Sequence, residues 1–194
     1  MENRFEETIE GQFVILNKVT IEDAKDIYLW RTSESGKYLR HPDNYSIESQ
    51  TEWIKSRNNY EVNYIICSKE TGNKVGMISI YDVNEKDKVA NVGRLLLSEE
   101  FLHKSTPYGL ESLFLTYDYV INQMDFLKIT GDILGLNENM FKLQKFLGMK
   151  QEGYFKRHTL INNKREDLYI MSLFKEDFSF YEKKINFILK GFQK

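Results

Sequence analysis

"HKSTPYGLESLFLTYDYV", residues 103–120, is a polar turn that runs straight into a patterned helix. Leu110, Leu113, Phe114, Tyr117, Val120 and Ile121 recur at the spacing of one helical face. The turn before them holds Lys104, Ser105, Thr106, Pro107 and Gly109. A helix start exposes free N–H groups and the positive end of the helix dipole, which together favour an anion. Lys104 adds charge, Ser105 and Thr106 add hydroxyls, and Gly109 lets a ligand approach the backbone. Pro107 has no N–H to offer but loses little in a first turn. Two readings are open on these residues: an anion seat, or an ordinary helix start capped by Ser105 or Thr106.

Working outward, the leucine-rich "KVANVGRLLL" (88–97) precedes the turn and reads as a strand. Before it stand three more strand candidates: "QFVILNKV" (12–19), "VNYIICS" (62–68) and "KVGMISIYDV" (74–83). Gly72-Asn73 in "KETGNK" and the polar "VNEKD" supply the turns of an antiparallel meander. Thr20 with Asp23, and Ser46, mark the starts of two early helices, separated by the irregular "SGKYLRHPDNYS" (35–46). After the central helix, "LKITGDIL" (127–134) reads as a strand. "NENMFKLQKFLGM" (137–149) reads as a helix ended by Gly148, with Met140, Leu143 and Leu147 inward. Two last strands, 150–161 and 165–174, flank the turn "NNKR". The order is β-α-α-β-β-β-α-β-α-β-β, a mixed α/β layer fold.

The chain has 194 residues, 41% hydrophobic and 29% charged, with a formal net charge of -2. That balance fits a soluble protein and disfavours general nucleic-acid binding. No apolar run reaches the roughly 18 residues of a membrane span. The acidic N-terminus lacks a secretory hydrophobic segment, so a cytoplasmic location is expected. Cys67 sits in an apolar run and reads as an inert thiol. His41, His103 and His158 share no metal-ligand spacing, and no metal is assigned. Only Pro42 and Pro107 punctuate the chain, without a flexible linker or repeat. The expected organisation is a single domain over residues 1–175 with an amphipathic helical extension over 176–194. In that tail Phe178, Tyr181, Ile185, Ile188 and Phe192 alternate by threes and fours. It either packs on its own domain or forms a homodimer contact.

The element order, with the polar turn after the fourth long strand, resembles the GCN5-related N-acetyltransferases, the GNAT superfamily. "KSTPYG" is similar to that family's Q/R-x-x-G-x-G/A loop, with Lys104 for the first residue, Pro107 for the first glycine and Gly109 on the second. Glu111 matches an acidic position in the helix that follows. "NENMFKLQKFLGMKQEGYFKR" (137–157) resembles the family's N-x-x-S-I-x-L-Y-E-K-L-G-F-x-x-E-G at Asn137, Leu143, Leu147, Gly148, Glu152 and Gly153. Asp167 falls on the usual acid of the final hairpin. The pattern is most similar to the branch of ribosomal-protein, spermidine and nucleotide-amino-sugar acetyltransferases.

The resemblance implies a sheet of about seven strands, splayed between the fourth and fifth. It implies acetyl-CoA as cosubstrate, with pantetheine pairing along Leu95, Leu96 and Leu97 like an added strand. The pyrophosphate would rest on Lys104, Ser105, Thr106, Tyr108, Gly109 and Leu110, and Asn137 would reach the arm. As a reading of the residue alone, Asn137 also caps its helix.

The family chemistry is direct attack of an amine on the thioester, with the oxyanion held by a backbone N–H of the fourth strand. A lysine-like amine with pKa about 10.4 is neutral in only roughly one molecule per thousand near pH 7.4, so a base matters. Asp132 lies five residues before Asn137, where relatives carry a catalytic glutamate. The family's acid tyrosine is replaced by Gln144; Tyr154, Tyr108 or water is the substitute. The first two helices and their loop would set specificity. Arg31, Lys37 and Arg40 are placed to meet a nucleotide diphosphate, and Tyr38 and Trp53 to line the acceptor. The implied acceptor is a small amine, foremost a nucleotide-linked amino sugar. A protein N-terminus and a polyamine are the alternatives, and a CoA-binding module without catalysis is the rival of another class.

Overall fold

Turn residues and apolar runs divide the chain largely along these lines. The structure is a computed structural model that describes residues 4–40, 42, 44–161 and 163–192. His41 and Asn162, both within stretches quoted above, lie outside the described residues. Strands β1 (Thr8–Glu10), β2 (Val14–Lys18), β3 (Val62–Ser68), β4 (Lys74–Asn84) and β5 (Val89–Leu97) pair successively in antiparallel fashion. Three more follow: β6 (Lys128–Leu134), β7 (Lys150–Ile161) and β8 (Lys164–Phe174). The single sheet runs β1-β2-β3-β4-β5-β6-β8-β7. It has one strand more than the expected seven, because three-residue β1 is too short to carry a readable period.

The helices are α1 (Ala24–Thr32), α2 (Ile47–Lys55), α3 (Glu99–Leu102), α4 (Tyr108–Asp118), α5 (Glu138–Phe146) and α6 (Lys175–Gly191). Two caps behave as the sequence suggests. Ser46 Oγ accepts from Ser49 N–H at the start of α2, and Gly148, at φ 102°, stands just past the end of α5.

The central strands are buried on both faces, which explains their unbroken apolar runs. Tyr64 and Ile66 of β3, with Ile78 and Ile80 of β4, join Leu113 and Tyr117 of α4 and Phe178 and Ile185 of α6. Ile65 and Met77, from the same strands, point the other way and meet Ala24 and Ile27 of α1 and Ile54 of α2. So α4 and α6 cover one face, and α1 and α2 the other. The tail helix packs on its own chain: Phe178 lies 6.1 Å from Phe114, ring to ring, and Phe192 lies 6.4 Å from Phe13.

Glu111, in the first turn of α4, fixes that helix to the sheet. Its carboxylate is 1% exposed and accepts the N–H groups of Gln12, Phe13 and Val14 at 2.6, 2.7 and 2.8 Å. Burial pushes its pKa up, against the three N–H groups that pull it down. Among the described residues no helix is long and apolar enough to cross a membrane.

Candidate active site

The site begins where two strands part. β5 and β6 pair in parallel at only three positions: Val89 with Lys128, Ala90 with Ile129, and Asn91 with Thr130. The last pair is clasped by side chains, Thr130 Oγ1 donating to Asn91 Oδ1 while Asn91 Nδ2 donates to Asp82 Oδ2. Beyond it β6 continues paired with β8 to Leu134, and β5 continues paired with β4 to Leu97. The two no longer pair with each other, so residues 92–97 of β5 form an open edge.

A bulge shapes that edge. Gly93 lies opposite Ser79 and Leu96 opposite Met77, so β5 advances three residues while β4 advances two. Arg94 absorbs the extra residue at φ 52°, a conformation uncommon for any residue but glycine. Its guanidinium stacks 4.1 Å from the Tyr81 ring centre and pairs with Glu61 at 2.8 Å. Leu96 then turns into the small core under α1 and α2, while Leu95 and Leu97 pack toward the larger one.

The helix α4 starts against this edge without a side-chain cap. Neither Ser105 nor Thr106 caps it; Pro107 occupies the cap position. Tyr108 N–H turns back to the Thr106 carbonyl, and the first helical bond runs from Glu111 N–H to Pro107 O. Gly109 and Leu110 lie between them and carry the first-turn donors. A Cβ on Gly109 would stand 3.5 Å from side-chain atoms of both Leu95 and Leu97. Lys104 and Ser105 are exposed beside this turn, and Thr106 is half-buried. Tyr108 is buried instead, its hydroxyl reaching Ser68 Oγ at 3.3 Å.

A cavity of about 490 Å³ opens in the fork. Of the residues singled out from sequence, it gathers Leu95, Asp132 and Asn137 on one side and Arg31, Tyr38, Arg40 and Trp53 on the other. Asn137 Oδ1 accepts from Met140 N–H at 3.2 Å, so it also caps α5. Asp132, on β6, keeps a solvent-open side chain. The surrounding protein raises its pKa by desolvation; Arg40 and His158 oppose the rise and Asp82 adds to it.

Tyr154 is not brought to this cavity. Its hydroxyl donates to Asp167 Oδ2 at 2.7 Å on β7, the outermost strand, because β8 inserts between β6 and β7. Gln144 does line the cavity, and its Oε1 accepts from the fully buried Tyr117 hydroxyl. His103 and His158 are exposed on separate elements. Among the described residues no three His, Cys, Asp or Glu side chains cluster as a metal site. Cys67 is half-buried and its thiol pKa is raised by burial.

Several cavity residues were not singled out from sequence: Ser35, Tyr45, Gln50, Tyr81 and Arg94. For Arg94 a signal existed, a charged residue after glycine interrupting an apolar strand. Tyr81 reaches the open strand, since a Cβ on Gly93 would stand 3.2 Å from its hydroxyl. Burial, aided by the Asp132 charge, pushes the Tyr81 pKa up to about 12.

Comparison with solved structures finds this architecture repeatedly. A GCN5-related N-acetyltransferase from Brucella melitensis superposes with a TM-score of 0.81 at 15% identity, over 96% of this chain and 87% of the other. A chimera of the spermidine N-acetyltransferase SpeG from Vibrio cholerae and hSSAT gives 0.78 at 16% identity, over 87% and 99%. A GNAT-family acetyltransferase from Bacillus anthracis gives 0.73 at 19% identity, over 87% and 99%. Comparison with curated proteins gave no match. The family model of the acetyltransferase (GNAT) domain matches residues 14–150. With that model spanning most of the sheet, the forked strands and the helix start beside them, the chain belongs to the GNAT family of N-acetyltransferases.

Proposed function

We propose that this protein transfers the acetyl group of acetyl-CoA to a small primary amine, foremost an amino sugar on a nucleotide carrier. The observation that carries this is the fork: strand pairing that stops at Asn91–Thr130 above a cavity, with an uncapped helix start on its open edge. The residues fit acetyl-CoA. The β5 edge at 95–97 offers peptide groups to an amide-bearing arm, Asn137 stands across the fork, and Gly109 and Leu110 N–H groups with Lys104 suit a pyrophosphate. Bound acetyl-CoA supplies an activated acyl group.

The chain's own residues supply the rest. Asp132 takes the proton of the incoming amine, directly or through water. Its raised pKa makes it a stronger base than a free aspartate. Tyr81 keeps its proton at neutral pH, and its hydroxyl, beside Gly93 of the open strand, is suited to donate one. It takes over the acid role considered for Tyr154. Arg31, Arg40, Tyr38 and Trp53 border the acceptor end, where aromatic and cationic groups suit a sugar joined to a diphosphate.

The test is thiol release from acetyl-CoA across a panel of an amino-sugar nucleotide, amino acids, a polyamine and peptide N-termini. Amine-dependent release is expected, falling by on the order of 10²-fold or more in Asp132→Ala. Thermal stabilisation by CoA without turnover on any amine would favour a binding module. Equal stabilisation by ATP would favour a generic phosphate ligand.

A further inference from the structure

At the α1–α2 end of the cavity three polar atoms are sealed from solvent without a hydrogen-bond partner: Arg31 Nε, Ser35 Oγ and Gln50 Nε2. All three side chains line the cavity. Buried polar groups are normally paired, so three orphans at one end of one cavity need an explanation. Gln50 is 3% exposed, and its carboxamide oxygen already accepts the Tyr45 hydroxyl at 2.6 Å, which leaves its N–H groups as the free function. Arg31 donates through Nη2 to the Arg40 carbonyl and lies over the Tyr45 ring at 5.6 Å. Among the described residues no carboxylate pairs with it. The nearby Arg94 is paired with Glu61.

We infer that the acceptor amine carries an anionic oxygen group, a phosphate or a carboxylate, seated on Arg31, Gln50 and Ser35. "Acceptor" rests on the acetyl-transfer reading above; the seat itself does not. A guanidinium, an amide N–H and a hydroxyl lining the same cavity match an oxyanion with several lone pairs. The first-turn donors of α4 form a different place, since none of residues 104–110 lines this cavity. The charge balance also disfavours a polyamine as the acceptor. Among the described residues lining the cavity, Asp132 is the sole carboxylate against Arg31, Arg40 and Arg94. A polycation would meet Arg31 and Arg40 there, beside the Glu61-paired Arg94.

Calorimetry on the full chain with CoA present would compare O-phosphoethanolamine, β-alanine, ethanolamine and spermidine, followed by turnover of each with acetyl-CoA. At least one anionic probe is expected to bind tenfold or more tightly than ethanolamine and spermidine. The better of the two identifies phosphate or carboxylate as the group. Arg31→Met and Gln50→Leu are expected to bring that ratio close to one, while Arg31→Lys keeps part of it. CoA-induced thermal stabilisation of each variant checks its folding, and the wild-type ratio stands without any variant. Equal or better binding of ethanolamine or spermidine overturns the seat, as does no binding of either anion or an equal loss for all probes in both variants. Selective anion binding without acetyl transfer leaves the seat and removes the transferase reading. Transfer without anion preference does the reverse.

Discussion

Replacing Glu111 by alanine removes the acceptor of three backbone N–H groups at once. Val14 is fully buried, so its N–H would be stranded, at a cost of about 2–3 kcal/mol. Gln12 and Phe13 are half-buried, and water can reach them in part, so each adds about 1 kcal/mol. Relief of the carboxylate's own desolvation, which raises its pKa, offsets part of this. The net loss is about 3–4 kcal/mol, which for a chain of this size lowers Tm by about 10 °C. Glu111→Gln keeps one acceptor but turns an NH2 toward an N–H, and should fall between. Urea and thermal unfolding measure both. Because α4 begins one turn before Glu111, the KM for acetyl-CoA should rise more than that for the amine. A Glu111→Ala protein melting within about 2 °C of the parent would show that the three bonds do not anchor the helix.

Gly109→Ala should leave stability unchanged or slightly raised, since its Cβ meets only ordinary 3.5 Å contacts and alanine favours helix. It should nevertheless raise the KM for acetyl-CoA several-fold; an unchanged KM would remove the helix start from the cofactor site. The acid limb of kcat/KM should rise with pH through the Asp132 pKa, above the roughly 3.9 of free aspartate, because the ionised form is the base. Asp132→Asn should abolish that limb in a pH–rate profile, and a limb that persists would exclude Asp132. Tyr117→Phe should cost about 1–3 kcal/mol in urea unfolding by stranding the Gln144 carbonyl. A loss of kcat instead would mark Tyr117 as a proton donor.

What the sequence by itself determined is local. The meander, the cap by Ser46, the stop at Gly148 and the inward face of α4 follow from period and turn chemistry within a few residues. The family resemblance added the expectation of a fork, and Asp132 and Asn137 do come together with Arg31 and Trp53 around it. Only the tertiary structure decided where the fork opens, because that depends on register between β5 and β6, more than thirty residues apart in the chain. It decided that the bulge at Arg94 shifts the alternation, so that Leu95 and Leu97, and not Leu96, join Ala90 and Val92 in the larger core. It decided too that β8 keeps Tyr154 from the cavity while Tyr81 enters it. Glu111 matched a motif, yet its partners at Gln12 to Val14 lie about a hundred residues upstream. Ser35 and Gln50 look like ordinary turn and helix residues until folding brings them to the same cavity as Arg31. Local steric and hydrophobic preferences act along the chain; burial without a partner arises only when distant segments close over one another.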